Sequence, residues 1–128
     1  PWPRSLSYNE PLRHHIPMIW TGGAVKEAQR VDLICNQTDL PATLLGQLGL
    51  PHDDFRFSRD VMSRTYTRPS AVHVWSEGIF YMDDSGVSAI NLLAKPQSVF
   101  SETPQPSPSR RQAANALLQV AYDDLGER

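Results

Sequence analysis

Cys35 is the only cysteine in this chain, so no internal disulfide can staple it, and its redox compartment is not marked by cysteine usage. No apolar run approaches the ~18 residues that a membrane span needs, and no secretory signal opens the chain. A basic excess is lacking too. Twelve lysines and arginines against 14 aspartates and glutamates give a formal net charge of -2, which supplies no field to hold a phosphate backbone and argues against a nucleic-acid partner. An initiating methionine is missing, as expected of a piece cut from a longer protein, so the missing anchor says little about the parent. Thr21-Gly22-Gly23-Ala24-Val25-Lys26 has glycines and a lysine without the G-x-x-x-x-G-K-S/T interval that brings them together on phosphates, so it reads as a plain turn. Ser5, Ser7, Ser58 and Ser63 show no nucleophile-elbow pattern.

What is present fits one globular domain: 128 residues, 40% hydrophobic and 20% charged. Residues 36–51 organise the rest, because they carry a helix start, an apolar face and a helix stop in order. Thr38 or Asp39 can cap the first turn, Pro41 sits where a missing N–H costs little, and Asp39 places negative charge at the positive end of the dipole. Leu40, Leu44 and Leu48, with Leu45 beside them, form the stripe that a short buried helix lays on a core. Gly49 supplies a left-handed stop, Leu50 can fold back onto Leu45, and Pro51 blocks resumption. Gly49→Ala is expected to cost about 1 kcal/mol. Leu44→Ala is expected to cost more, about 2 to 5 kcal/mol if that side chain is fully buried.

Around this helix the pattern predicts an α+β arrangement: a small, mainly antiparallel meander packed with the short central helix and a C-terminal helix. Residues 1–13 read as an extended arm, and residues 14–51 as strand, turn, strand and helix, with strands at 16–20 and 31–35. Residues 71–75, 79–82 and 87–90, separated by Glu77-Gly78 and Asp83-Asp84-Ser85-Gly86, give three strands of a meander, and Val99-Phe100 can add a fourth within residues 71–100. Alternation puts Val72 and Val74 on one face and His73 and Trp75 on the other, one set buried and one more exposed. Residues 101–109, with Pro104, Pro106 and Pro108, read as a stiff spacer. A terminal helix over 110–125 opens at Ser107-Pro108 or at Ser109, lays Ala113, Ala116, Leu117, Val120, Ala121 and Leu125 on the core, and ends at Gly126.

Asp39-Leu40-Pro41-Ala42-Thr43-Leu44-Leu45 with Leu48-Gly49-Leu50 resembles the "D-hydrophobe-x-P-T-L-L…G-I" segment of the sulfatase branch of the alkaline phosphatase superfamily, here with the proline one place early and Ala42 in its slot. His15-Ile16-Pro17-Met18-Ile19-Trp20 resembles the "(R/H)-V-P-hydrophobe" strand that precedes it there. The resemblance covers roughly residues 10–100 and is nearest to lipoteichoic acid synthase-like phosphoglycerol transferases and phosphoethanolamine transferases. It implies the C-terminal part of an alkaline phosphatase-like α/β fold in an enzyme of the bacterial inner membrane whose catalytic domain lies on the outer side, this piece itself being soluble. It also implies a divalent metal (Mn, Mg, Zn or Ca), a phosphate or sulfate ester substrate, and the N-terminal catalytic part of the same chain as partner. The hydroxyl nucleophile and the Asp-His-Gly metal motif of such enzymes have no counterpart here, and Pro1-Trp2-Pro3-Arg4 would lie just past that motif. The chain therefore reads as scaffold, with no catalytic or metal residue of its own.

Candidate chemistry is sparse. The resemblance puts the strand after the His14-His15 pair close to the active site, which makes His15, and next to it His14, substrate-proximal candidates. Adjacent histidines on a strand point to opposite faces and cannot share one ion, and a structurally hydrogen-bonded histidine is the plainer reading. Asp83-Asp84 with Glu77, and His52-Asp53-Asp54, sit in turns where Asp bonds local backbone. Cys35 lies near a helix N-terminus, which can activate a thiol, yet cysteine in an apolar run is more often core. A free-standing interaction module presenting Trp2, Trp20 or Trp75 is the alternative to an enzyme subdomain.

Overall fold

The computed structural model describes residues 5–7, 10–23 and 25–127. Four strands, β1 (Ser70–Trp75), β2 (Gly78–Asp83), β3 (Gly86–Asn91) and β4 (Ser98–Thr103), form one antiparallel sheet in the order β1-β2-β3-β4. Two residues connect β1 to β2, and two connect β2 to β3, as their turn chemistry demands. At the second turn Asp83 Oδ1 accepts from Ser85 N (2.9 Å) and Ser85 Oγ (2.6 Å), and Gly86 takes a φ of 135° that a side chain resists. β4 pairs with β3 through a register break between Ala89 and Ile90, and it reaches Thr103, so the proline spacer begins at Pro104 rather than at Ser101. The arm is likewise not extended throughout. Pro11–His14 closes a single 3-10 turn, and residues 1–4, 8, 9 and 24, Trp2 among them, lie outside the described residues.

Helix α2 (Pro108–Gly126) crosses one face of the sheet, over β2 and β3. Of its two possible starts the structure takes Ser107, whose Oγ accepts from Arg110 N (3.3 Å), with Pro108 in the first turn. Its core face is rotated from the predicted one. Ala114 is buried and Ala113 and Leu118 pack with Ile79, Tyr81 and Ile90, whereas Leu117, Val120 and Leu125 are exposed. The cause is Arg110, which is buried and aimed into the end of the sheet, so that residues 110, 114 and 118, four apart, face inward. The other sheet face buries Phe80, Val87 and Ala89, with Trp75 and Met82 against them. Val72 and His73 do alternate between these faces, but both faces are covered, so the predicted contrast of one buried and one exposed set does not arise; Val74 is exposed and Trp75 half-buried.

The central helix, α1 (Leu40–Gln47), forms where expected, with Pro41 in its first turn. Gly49, at φ 68°, ends it. Leu50 N donates to Leu45 O (2.9 Å) and Gly49 N to Gly46 O (3.1 Å), the paired bonds of a Schellman stop. Its burial is the reverse of the expectation: Ala42 and Thr43 are buried, while Leu40, Leu44 and Leu48 are exposed. Polar bonds and not the leucine stripe fasten the helix, so its apolar side is left outward. At 45% exposure Leu44 has little area to lose. Leu44→Ala is therefore expected to cost about 1 kcal/mol or less, no more than Gly49→Ala, and urea denaturation of the two variants checks the order.

The predicted strands at 16–20 and 31–35 do not form among the described residues. Residues 15–23 and 25–36 run without regular structure, and Ile16, Met18, Ile19, Val31 and Leu33 are exposed. Strand-prone sequence becomes a strand only when a neighbour supplies ladder partners, and among the described residues none lies alongside.

Candidate functional site

Asp39 is 1% exposed and is the centre of the polar clasp that holds α1. Its carboxylate does not cap α1, as the sequence suggested it could. It takes Arg59 in a two-pronged bond, Nε to Oδ1 at 2.9 Å and Nη2 to Oδ2 at 2.7 Å, and also accepts from Arg59 N (3.0 Å) and Asn36 N (2.9 Å). Ala42 N in the first turn is satisfied by Ser58 Oγ at 2.9 Å. Thr43 Oγ1 donates to Asp39 O (2.6 Å) and accepts from Val61 N (3.1 Å). Arg59 continues to Ser70 Oγ and Ser70 O, each at 2.9 Å, and Asn36 Oδ1 accepts from Val72 N (2.8 Å), so both ends of the clasp reach β1. Hydrogen bonding to Asp39, against the opposing effect of burial, holds the Arg59 guanidinium above its ordinary pKa. Arg59 also lies 5.0 Å over the Tyr66 ring, whose hydroxyl donates to Ile34 O (2.6 Å).

Cys35 sits half-buried beside this clasp. Burial, and then the Asp39 charge, push its thiol up despite the opposing Arg59. A raised thiol pKa means little thiolate, so the residue is not an activated nucleophile.

The second polar centre ties α2 to the sheet. Arg110 is 2% exposed and gives Nε to Ser88 Oγ (3.0 Å), Nη1 to Ser85 O (3.1 Å) and Ser85 Oγ (2.9 Å), and Nη2 to Gln105 O (2.7 Å) and Thr103 O (3.3 Å). Ser88 Oγ donates to Glu102 Oε1 (2.7 Å), which also accepts from Ser107 N (3.3 Å) and faces Arg111 Nε at 3.6 Å. Burial works to raise the Glu102 carboxyl, but the Ser88 and Ser107 hydrogen bonds and the two arginines outweigh it and hold it below its usual range.

On the face opposite α2 a row of rings runs from the arm across the sheet. His14 stands 4.4 Å from His73 and 4.9 Å from Phe80; His73 stacks on Trp75 at 6.3 Å, and Trp75 meets Phe100 at 5.8 Å. The two predicted site residues thus part company: His14 packs into this row and His15 is exposed. His73, which the sequence did not single out, is His14's partner. Burial, then the nearby His14 and Arg13 charges, lower its pKa.

Among the described residues no three His, Cys, Asp or Glu side chains gather as a metal would require. His14 and His73 meet as tilted rings, 36° between their planes. Asp84 and Glu77 stand in turns, and Asp83 ends β2, bonding Ser85 locally. The Thr21-Gly22-Gly23 stretch forms a simple turn closed by Val25 N to Gly22 O at 3.0 Å. No helix of the described residues is long and apolar enough to cross a membrane. No family model, curated protein or solved structure matches this chain.

Proposed function

We propose that this chain is the C-terminal subdomain of a metal-dependent enzyme of the sulfatase and phosphotransferase type, within the alkaline phosphatase superfamily, and acts there as scaffold beside the active site. The observation that carries this reading is the number of uncovered apolar side chains along three stretches of the chain. Ile16, Met18 and Ile19, then Val31 and Leu33, then the Leu40, Leu44 and Leu48 side of α1 are all exposed, the first and last of these stretches being the ones that bear the resemblance. Apolar runs of strand composition left at a surface call for a covering partner. The N-terminal catalytic part of the same parent chain is that partner: it supplies the cover, the hydroxyl nucleophile and the metal ligands. The parent acts on phosphate or sulfate esters in the cell envelope, from an inner-membrane anchor with its catalytic domain outside. The same uncovered surface also suits the rival reading, a free-standing interaction module. The parent gene separates them, since Asp-His-Gly just upstream of Pro1 supports the first and an unrelated domain there supports the second.

In the scaffold reading the isolated chain is expected neither to bind zinc, manganese or magnesium tightly nor to hydrolyse nitrophenyl phosphate, phosphodiester or sulfate esters. Such chemistry needs several ligands converging within about 2.0 to 2.2 Å of a metal. Calorimetric titration followed by ester assays tests this. Micromolar binding with metal-dependent turnover that disappears in His14→Ala or His15→Ala would make those histidines catalytic and overturn the proposal.

A further inference from the structure

We infer that residues 28–34 pair as a strand with the same residues of a second copy of this chain, antiparallel and two-fold about Val31. The segment is a strand in all but its partner. It runs without a bend from residue 28 to residue 36, and Arg30 Nε reaches Asp32 Oδ1 at 2.8 Å, a contact that side chains two apart make when the backbone is extended. Among the described residues the backbone N–H and C=O groups of residues 28–33 have no hydrogen-bond partner, and these residues are all exposed. Neither proline nor glycine interrupts residues 28–34, so nothing in them blunts an open edge. Beside Val31 and Leu33 opens a groove of about 440 Å³, lined also by Val61, Met62 and Tyr66, which gives an added strand apolar side chains to lie against.

The charge pattern selects a second copy as the occupant and fixes its register. Arg30 and Asp32 flank Val31, so an antiparallel pair centred on Val31 sets each Arg30 opposite the Asp32 of the other copy. Centring the pair on Arg30 or on Asp32 sets like charges face to face, and parallel pairing in register does so at both positions. About Val31 the two Val31 side chains also meet, each with the Leu33 of the other copy on its diagonal, so one face of the pair is an apolar row and the other carries both ion pairs. An interface of this length lies below the ~1,200 Å² of stable complexes, so the dimer is weak and depends on concentration. It leaves Ile16, Met18, Ile19 and the leucine side of α1 to a parent's N-terminal part, and it stands independently of that reading.

The test is sedimentation equilibrium of the purified chain between about 10 μM and about 1 mM, with amide hydrogen exchange read by NMR over the same range. The mass is expected to rise from 14.4 kDa toward twice that value, and alternate amides of residues 29–33 to gain protection as concentration rises. Arg30→Asp alone and Asp32→Arg alone each set like charges opposite, and each is expected to weaken association about tenfold. An equimolar mixture of the two variants sets two arginines against two aspartates and is expected to regain it. The side chains are 85% and 68% exposed, so neither change disturbs the fold. A monomer at every concentration, a dimer without protection in residues 29–33, single variants that associate as tightly as the unmodified chain, or a mixture no tighter than its components would each overturn the pairing.

Discussion

Arg110→Ala is expected to destabilise the fold by about 3 to 5 kcal/mol, the range for removing one partner from a buried charged network. The guanidinium is the sole charged group bonded to Ser85, Ser88, Thr103 and Gln105 at once, and it is 2% exposed, so no water stands ready to replace its five bonds. Deleting it leaves the Gln105 and Thr103 carbonyls without this donor and removes a cation from beside Glu102. A loss of that size is a large part of the 5 to 15 kcal/mol that a domain commonly has, so urea or thermal unfolding reads it directly. A second signature separates it from a plain packing defect. The depressed Glu102 carboxyl contributes stability that is present above pH 4.5 and lost as pH falls through its folded value. With Arg110 gone that depression shrinks, and the acid limb of the stability profile is expected to flatten. A loss below about 1 kcal/mol would mean that the network does not hold α2.

Asp39→Ala is expected to cost about 3 kcal/mol, the low end of the same range. Four donors lose their acceptor: Asn36 N, Arg59 N, Arg59 Nε and Arg59 Nη2. The Arg59 side chain is still 40% exposed, however, so its charge can turn partly toward water. Arg59→Lys is expected to cost about 2 kcal/mol, because an ammonium cannot reproduce the two-pronged bond or the contacts to Ser70. Since the clasp and not the leucine stripe fastens α1, each of these variants should exceed Leu44→Ala. A denaturation series that ranks Leu44→Ala first would show the stripe to be the true anchor. A double-mutant cycle between Asp39 and Arg59 then gives the coupling itself.

The sequence by itself determined the local structure whose causes are local. Three strands of the meander were legible because their turn residues lie between alternating β-branched and aromatic runs, with the fourth only suggested by Val99-Phe100, and α1 was legible because Pro41 and Gly49 mark its ends within a few residues. Helix α2 was legible from Ser107-Pro108 for the same reason. Only the tertiary structure decided which faces these elements turn inward. Arg59 meets Asp39 across 20 residues and Arg110 meets Ser88 across 22, and no spacing rule announces such pairs; yet they set the phase of α2 and left the Leu40, Leu44 and Leu48 stripe outward. The same holds for residues 16–20 and 31–35, where β-propensity is intrinsic to the residues but a strand needs a neighbouring ladder, and among the described residues none stands beside them. It holds as well for His73, an ordinary strand residue in sequence, which becomes half of a histidine pair only because the turn Pro11–His14 lies across the sheet.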